Sequence, residues 1–111
     1  MQEIIERLFS TLDNILPGKV SYGTRDGLED ESDYIIYQEL NNRSIVYADD
    51  IAIAKVSTFQ VSLITEKKDL ILEDRFESSL YFNNYEFELL SEFINQDGSV
   101  NRVYEIKQEV F

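Results

Sequence analysis

The stretch Tyr85–Val110, YEFELLSEFINQDGSVNRVYEIKQEV, decides the fold. Tyr85, Phe87, Leu89 and Phe93 alternate with Glu86, Glu88 and Glu92, a period of two that predicts a strand with one buried face. Asp97-Gly98 then supplies a tight turn, because a two-residue type I′ loop needs positive φ at both central positions. The register that follows pairs Phe93 with Arg102, Ser91 with Tyr104, Leu89 with Ile106 and Tyr85 with Val110, which keeps most apolar groups on one face. On the other face Glu88 meets Lys107, a favourable cross-strand pair, whereas Glu86 opposite Glu109 is not. A lone hairpin is only marginally stable in water, so the rest of the chain must cover that apolar face.

Immediately upstream, Leu72, Phe76 and Leu80 form an i, i+4, i+8 stripe that predicts a helix over 66–81, with Thr65 as its N-cap and Asn83-Asn84 closing it. Before it, Lys55–Thr65 reads as the longest strand. Phe59, Val61 and Leu63 point to the core, and Thr58, Gln60 and Ser62 point outward to solvent or a neighbouring subunit. Tyr34–Leu40 opens on the β-branched and aromatic run Tyr34-Ile35-Ile36-Tyr37, which suits a central strand. Asn41-Asn42 is expected to turn the chain and Ser44–Tyr47 to return it. The stretch 48–54 admits a bulge or a second loop near Asp49-Asp50.

At the N-terminus, Ile4, Ile5, Leu8, Phe9, Leu12, Ile15 and Leu16 recur at helical spacing and predict an amphipathic helix over 2–16, stopped by Pro17-Gly18. Val20-Ser21-Tyr22 fits a short strand ended by Gly23. Thr24–Asp33 carries Asp26, Glu29, Asp30, Glu31 and Asp33 and is expected to be an exposed, mobile loop. Its Asp26-Gly27 lacks the D-x-[DN]-x-[DN]-G order and terminal Glu of a calcium loop. Asp49 and Asp50, adjacent along a strand, would point to opposite faces and are poorly arranged for joint acid/base chemistry.

The 111 residues suit a single domain, 1–111, and seven tyrosines, seven phenylalanines and 43% apolar residues are enough for one core. Charge is the strongest compositional fact, with 22 acidic against 10 basic residues and a formal net charge of −12. Such a chain repels nucleic acid non-specifically, because that affinity rests on Lys and Arg neutralising phosphates. The absence of cysteine removes disulfides and thiolate chemistry, and the absence of histidine removes the usual general base and the commonest metal ligand. No GxxxxGK[ST], GxGxxG or HExxH motif occurs. The start lacks the pattern of a secretory signal and no apolar run is long enough to span a bilayer, so a cytoplasmic origin is expected. No enzyme activity, cofactor or metal is expected.

The elements add up to an α+β domain: an antiparallel sheet of about four to five strands with an N-terminal helix and a second helix packed on one face. The whole arrangement resembles the tail-completion (tail-terminator, head–tail joining) proteins of long-tailed phages and prophages. The likeness is carried by the N-terminal helix ending near Pro17-Gly18, by Val20–Gly23, by Tyr34-Ile35-Ile36-Tyr37 after a variable loop and by Arg43 with Tyr47–Asp50. Phe59–Thr65 leading into a helix and the final hairpin complete it. Asp33 stands where members often carry a proline. The resemblance implies a virion protein that forms a ring, commonly a hexamer. Such a ring caps the tail tube and meets the head connector while DNA passes through its bore without specific binding. For assembly contacts, the candidates are Arg25, Asp26, Glu29, Asp30, Glu31 and Asp33 in the loop, with Arg43, Asp49 and Asp50 beyond it. An acidic DNA-mimic inhibitor of the anti-restriction or anti-CRISPR type and a small bacterial protein-binding domain are the competing readings.

Overall fold

A computed structural model describes the backbone of residues 2–48 and 51–110 and, within these, the side chains of 3–40 and 56–108. In chain order the elements are α1 (Gln2–Ile15), β1 (Val20–Tyr22), β2 (Tyr34–Ala48), β3 (Ile51–Thr65), α2 (Leu70–Phe82), β4 (Glu86–Ile94) and β5 (Val100–Val110). The five strands form one sheet in the order β1-β2-β3-β5-β4, and the domain is α+β as expected. It measures 54 × 24 × 23 Å. The long dimension is set by β2 and β3, since a fifteen-residue strand at about 3.3 Å per residue reaches about 50 Å.

Strand parity decides which side the helices cover. Ile35 and Tyr37 pair with Leu63 and Val61, and Val61 and Phe59 pair in turn with Tyr104 and Ile106. All seven lie on one face, and all are buried in a single core with Leu8, Leu12, Ile15 and Leu16 from α1 and its end and with Leu72, Phe76 and Leu80 from α2. Both expected apolar stripes therefore meet the same face of the sheet. Phe76 and Tyr104 stack at its centre, their ring centroids 4.8 Å apart. The opposite face carries Tyr34, Ile36, Gln60, Ser62, Val103 and Glu105, and neither α1 nor α2 covers it.

Several expectations need correction. The sheet is mixed rather than antiparallel, because β1 runs parallel to β2 and the 23–33 segment is the crossover that carries the chain back. Asn41-Asn42 does not turn the chain. Both pair with β3, opposite Thr58 and Ser57, and the irregularity there is a register shift between Glu39 and Asn41 that leaves Leu40 as the extra residue. β2 thus runs on to Ala48, which pairs with Ile51, with two further register shifts between Ser44 and Tyr47; Asp49 and Asp50, where a bulge or loop was expected, lie outside the described residues. Continuous pairing with β3 outweighs the turn preference of two asparagines.

The second helix starts later than expected. Thr65 remains in β3 opposite Val100, and Asp69 is the N-cap, its Oδ1 accepting the Leu72 N–H at 3.0 Å. The final hairpin also closes through a longer loop. Asn95 N–H donates to Ser99 O at 2.8 Å and Gly98 N–H to Asn95 O at 3.0 Å, with Gly98 at φ +89°. This is a turn followed by a left-handed residue, a three-residue loop rather than a two-residue one. The expected pairs slip by one position, so Arg102 faces Glu92 instead of Phe93. A second shift between Leu89 and Ser91 then sets Leu89 opposite Tyr104 and Glu86 opposite Lys107, leaving Glu88 opposite Glu105 as the unfavourable pair.

Candidate functional site

Three features beyond the core stand out: the acidic crossover, an ion-pair network between α2 and the final hairpin, and the apolar side chains left exposed. The crossover holds a definite shape. Leu28 N–H donates to Arg25 O at 2.9 Å, Glu31 N–H to Leu28 O at 3.0 Å, and the Arg25 guanidinium donates to the carbonyls of Glu29 and Glu31, both at 3.3 Å. The same guanidinium lies 4.6 Å from the centre of the Tyr34 ring, a cation–π contact at the start of β2. Leu28 is only 5% exposed, so the crossover has an apolar anchor of its own. Asp33 Oδ1 accepts the Glu66 N–H at 2.9 Å and fixes the far end to the chain leaving β3. The Glu29 carboxyl is held below its ordinary pKa by its own N–H and that of Gly27. A shallow pocket between this crossover and the 97–99 turn is lined by Arg25, Glu29, Tyr34, Ile64, Glu66 and Asp97.

The ion-pair network is built on Arg102 of β5, whose side chain is 12% exposed. Its guanidinium meets Glu73 at 3.3 Å, Glu77 at 2.9 Å and Glu92 across the hairpin. Its Nε donates to the Tyr104 hydroxyl at 2.9 Å, and that hydroxyl donates onward to Glu77 at 2.8 Å. Lys68 completes the cluster, donating to Glu73 at 2.8 Å and Glu92 at 2.7 Å. Burial works against the Arg102 charge, yet the Tyr104 hydroxyl and the carboxylates of Glu92 and Glu73 more than offset it and hold its pKa above the ordinary value. Burial pushes the Tyr104 phenol up, and its bond to Glu77 adds to that. Hydrogen bonds from Lys68 and Arg102 lower the Glu92 carboxyl, while those to Glu73 and Glu92 raise Lys68. Each of these carboxylates is already engaged by a cation of the same chain. The network staples α2 to the hairpin.

Among the described residues, the large apolar side chains left exposed fall in two groups at opposite ends of the sheet. At one end α2 shows Leu70, Ile71, Tyr81 and Phe82, with Ile71 84% and Phe82 79% exposed, and β4 shows Leu89, Leu90, Phe93 and Ile94. At the other end lie Phe9 of α1, Tyr22 of β1 and Leu40 of β2. Phe9 and Tyr22 both contact the Tyr37 ring, at centroid separations of 6.4 and 5.0 Å. Exposed apolar side chains gathered at a sheet edge in this way suit contact with another macromolecule.

The residues expected to act do not form one site. Arg25, Asp26, Glu29, Asp30, Glu31 and Asp33 sit together in the crossover at the start of β2. Arg43 lies within β2 opposite Val56, nine residues farther along a strand that continues away from the crossover, and Asp49 and Asp50 lie outside the described residues. The expected mobility of the crossover is not matched by its hydrogen bonding. Sequence reading missed the network, although Glu73 and Glu77 at i, i+4 beside the Leu72–Phe76–Leu80 stripe were a usable signal. It also missed the apolar flank, for which Leu70-Ile71 and Tyr81-Phe82, standing outside that stripe, were the sign. No protein-family model matches the chain, and no curated protein sequence matches it at a significant level.

Proposed function

We propose that this chain is a structural assembly subunit. In this reading it is the phage or prophage protein that caps the tail tube as a ring of copies and joins it to the head connector. The observation that carries the assembly role is the exposed apolar surface along α2 and β4, on a domain whose net charge of −12 otherwise keeps it soluble. The more specific tail role rests on the resemblance in element order and on the projecting β2–β3 hairpin, which gives a small domain a long reach. The carboxylate excess has a use in such a ring: turned toward the bore, it lets DNA pass without adhering, because no cationic surface neutralises phosphates there. A structural role also suits the described clusters of charge, which are spent on ion pairs joining elements of the fold.

The test is to polymerise tail-tube protein from the same phage genome with and without this chain. The expected result is shorter tubes, each bearing the protein at one end by electron microscopy. Tubes of unchanged length with undecorated ends would overturn the tail role.

A further inference from the structure

We propose that copies of this chain join head to tail, the α2/β4 flank of one copy seating on the Phe9–Tyr22–Leu40 flank of the next. This rests on the reading of the chain as an assembly subunit and names the two surfaces that meet.

The sheet supplies the first argument. β4 is its last strand on one side and, among the described residues, pairs only with β5, so no strand of the described chain lies beside its outer N–H and C=O groups. On the other side β1 covers β2 only from Ile35 to Tyr37. The Tyr22 hydroxyl accepts the next outward N–H, that of Glu39, at 3.1 Å, and past it no strand of the described chain lies along the outer edge of β2. Each sheet end is therefore a template for a further strand. The strand directions are compatible. β4 runs opposite to β5, β5 opposite to β3 and β3 opposite to β2, so β4 runs opposite to β2. A copy related by rotation about an axis along the strands brings β4 against β2 antiparallel, the more stable mode of pairing.

The surface supplies the second argument. All the exposed large apolar side chains among the described residues belong to one or other sheet end, so a second copy carries a patch for each. A two-fold β4-to-β4 pairing would bring Glu86, Glu88 and Glu92 against the same residues and leave the Phe9 flank bare. Two different patches that meet head to tail close a ring when the rotation permits.

The chain has no cysteine, so single introduced thiols report contacts without background. Leu40→Cys and Leu90→Cys proteins, each checked for native circular dichroism, are mixed in equal amounts and treated with a mild oxidant; Ile94→Cys serves as a second β4 probe. The expected result is a mixed disulfide in several-fold excess over either homodimer, and a ladder of oligomers when both cysteines are in one chain. A β4-to-β4 homodimer in excess, a statistical mixture, or no disulfide with either β4 probe would overturn the proposal. Mixed disulfides from a protein that leaves tail tubes unaltered would sink the tail role and leave this interface standing.

Discussion

Arg75 of α2 donates from Nη2 to the carbonyl of Ile15, the last residue of α1, at 2.6 Å. The reverse contact exists too, since Arg7 of α1 donates to the carbonyl of Asn83 at the end of α2, at 3.1 Å. The two helices thus lie antiparallel, and each places a guanidinium on the negative end of the other. Neither helix carries a basic residue in its own last turn. Orphan carbonyls and the helix dipole both favour a cation at that position, and the partner helix supplies it. Arg75→Ala should cost about 1–2 kcal/mol in urea denaturation, within the range for a hydrogen bond from a charged group. Arg7→Ala should cost less, because that contact is exposed.

Removing Arg102 should be more damaging. Glu73 is 5% exposed, its Oε2 has no hydrogen-bond partner among the described residues, and its Oε1 depends on Lys68 and Arg102. Arg102→Ala leaves a buried carboxylate with a single exposed lysine, and breaking a buried pair in this way costs about 3 kcal/mol. Adding Glu73→Leu to that variant should recover much of the loss, since a matched apolar replacement removes the stranded charge. Chemical denaturation of the two variants side by side distinguishes this from simple loss of packing.

The same network sets a window of pH stability. Glu92 titrates below its ordinary range when folded, so its contribution is complete above about pH 4.3, the unfolded value, and is lost as pH falls through the folded value. Tyr104 is raised when folded, so its contribution is complete below about pH 10 and is lost as pH rises toward the folded value. Thermal melts should show a plateau between these limits with a fall on both sides. Glu92→Gln should flatten the acid limb and Tyr104→Phe the alkaline one.

At the hairpin turn, Gly98 has φ +89° and nothing within 4 Å of where a Cβ would stand. The penalty of a side chain there is conformational alone. Gly98→Ala should cost about 1–2 kcal/mol, and Gly98→Asn less, because asparagine tolerates the left-handed region. Both should keep the chemical-shift signature of Glu92 facing Arg102. A return to a two-residue loop would instead restore Phe93 opposite Arg102.

That turn also marks where the sequence stops being readable. Alternation in Tyr85–Val110 and the apolar stripes of α1 and α2 are local patterns, and the structure contains the elements they predict. Loop length is not a local pattern: Asp97-Gly98 suits a two-residue or a three-residue loop, and the choice falls to the Glu92–Arg102 contact and the network behind it. Asn41-Asn42 read as a turn because its preference is strong alone, while the pairing that overrides it comes from Ser57 and Thr58, distant in sequence. The apolar residues of β4 read as core because alternation reports which side chains are apolar, and not whether their cover lies within the same chain.

The crossover offers the sharpest contrast between composition and structure. Acidic residues in Thr24–Asp33 suggest a solvated, mobile segment, yet buried Leu28 and the Arg25 guanidinium hold it together. Amide exchange should therefore show protection at Leu28 and Glu31, whose N–H groups donate to Arg25 O and Leu28 O. Leu28→Ala should remove the anchor and abolish that protection while leaving exchange at Val61 and Tyr104 in the core unchanged. Arg25→Gln should have a similar but weaker effect, because it deletes the cation–π contact with Tyr34 and the charge-assisted bonds to Glu29 and Glu31, but not the apolar anchor. If Leu28 and Glu31 exchange in the native protein as fast as an unstructured peptide, the crossover is the mobile loop its composition suggests and the anchor has no role.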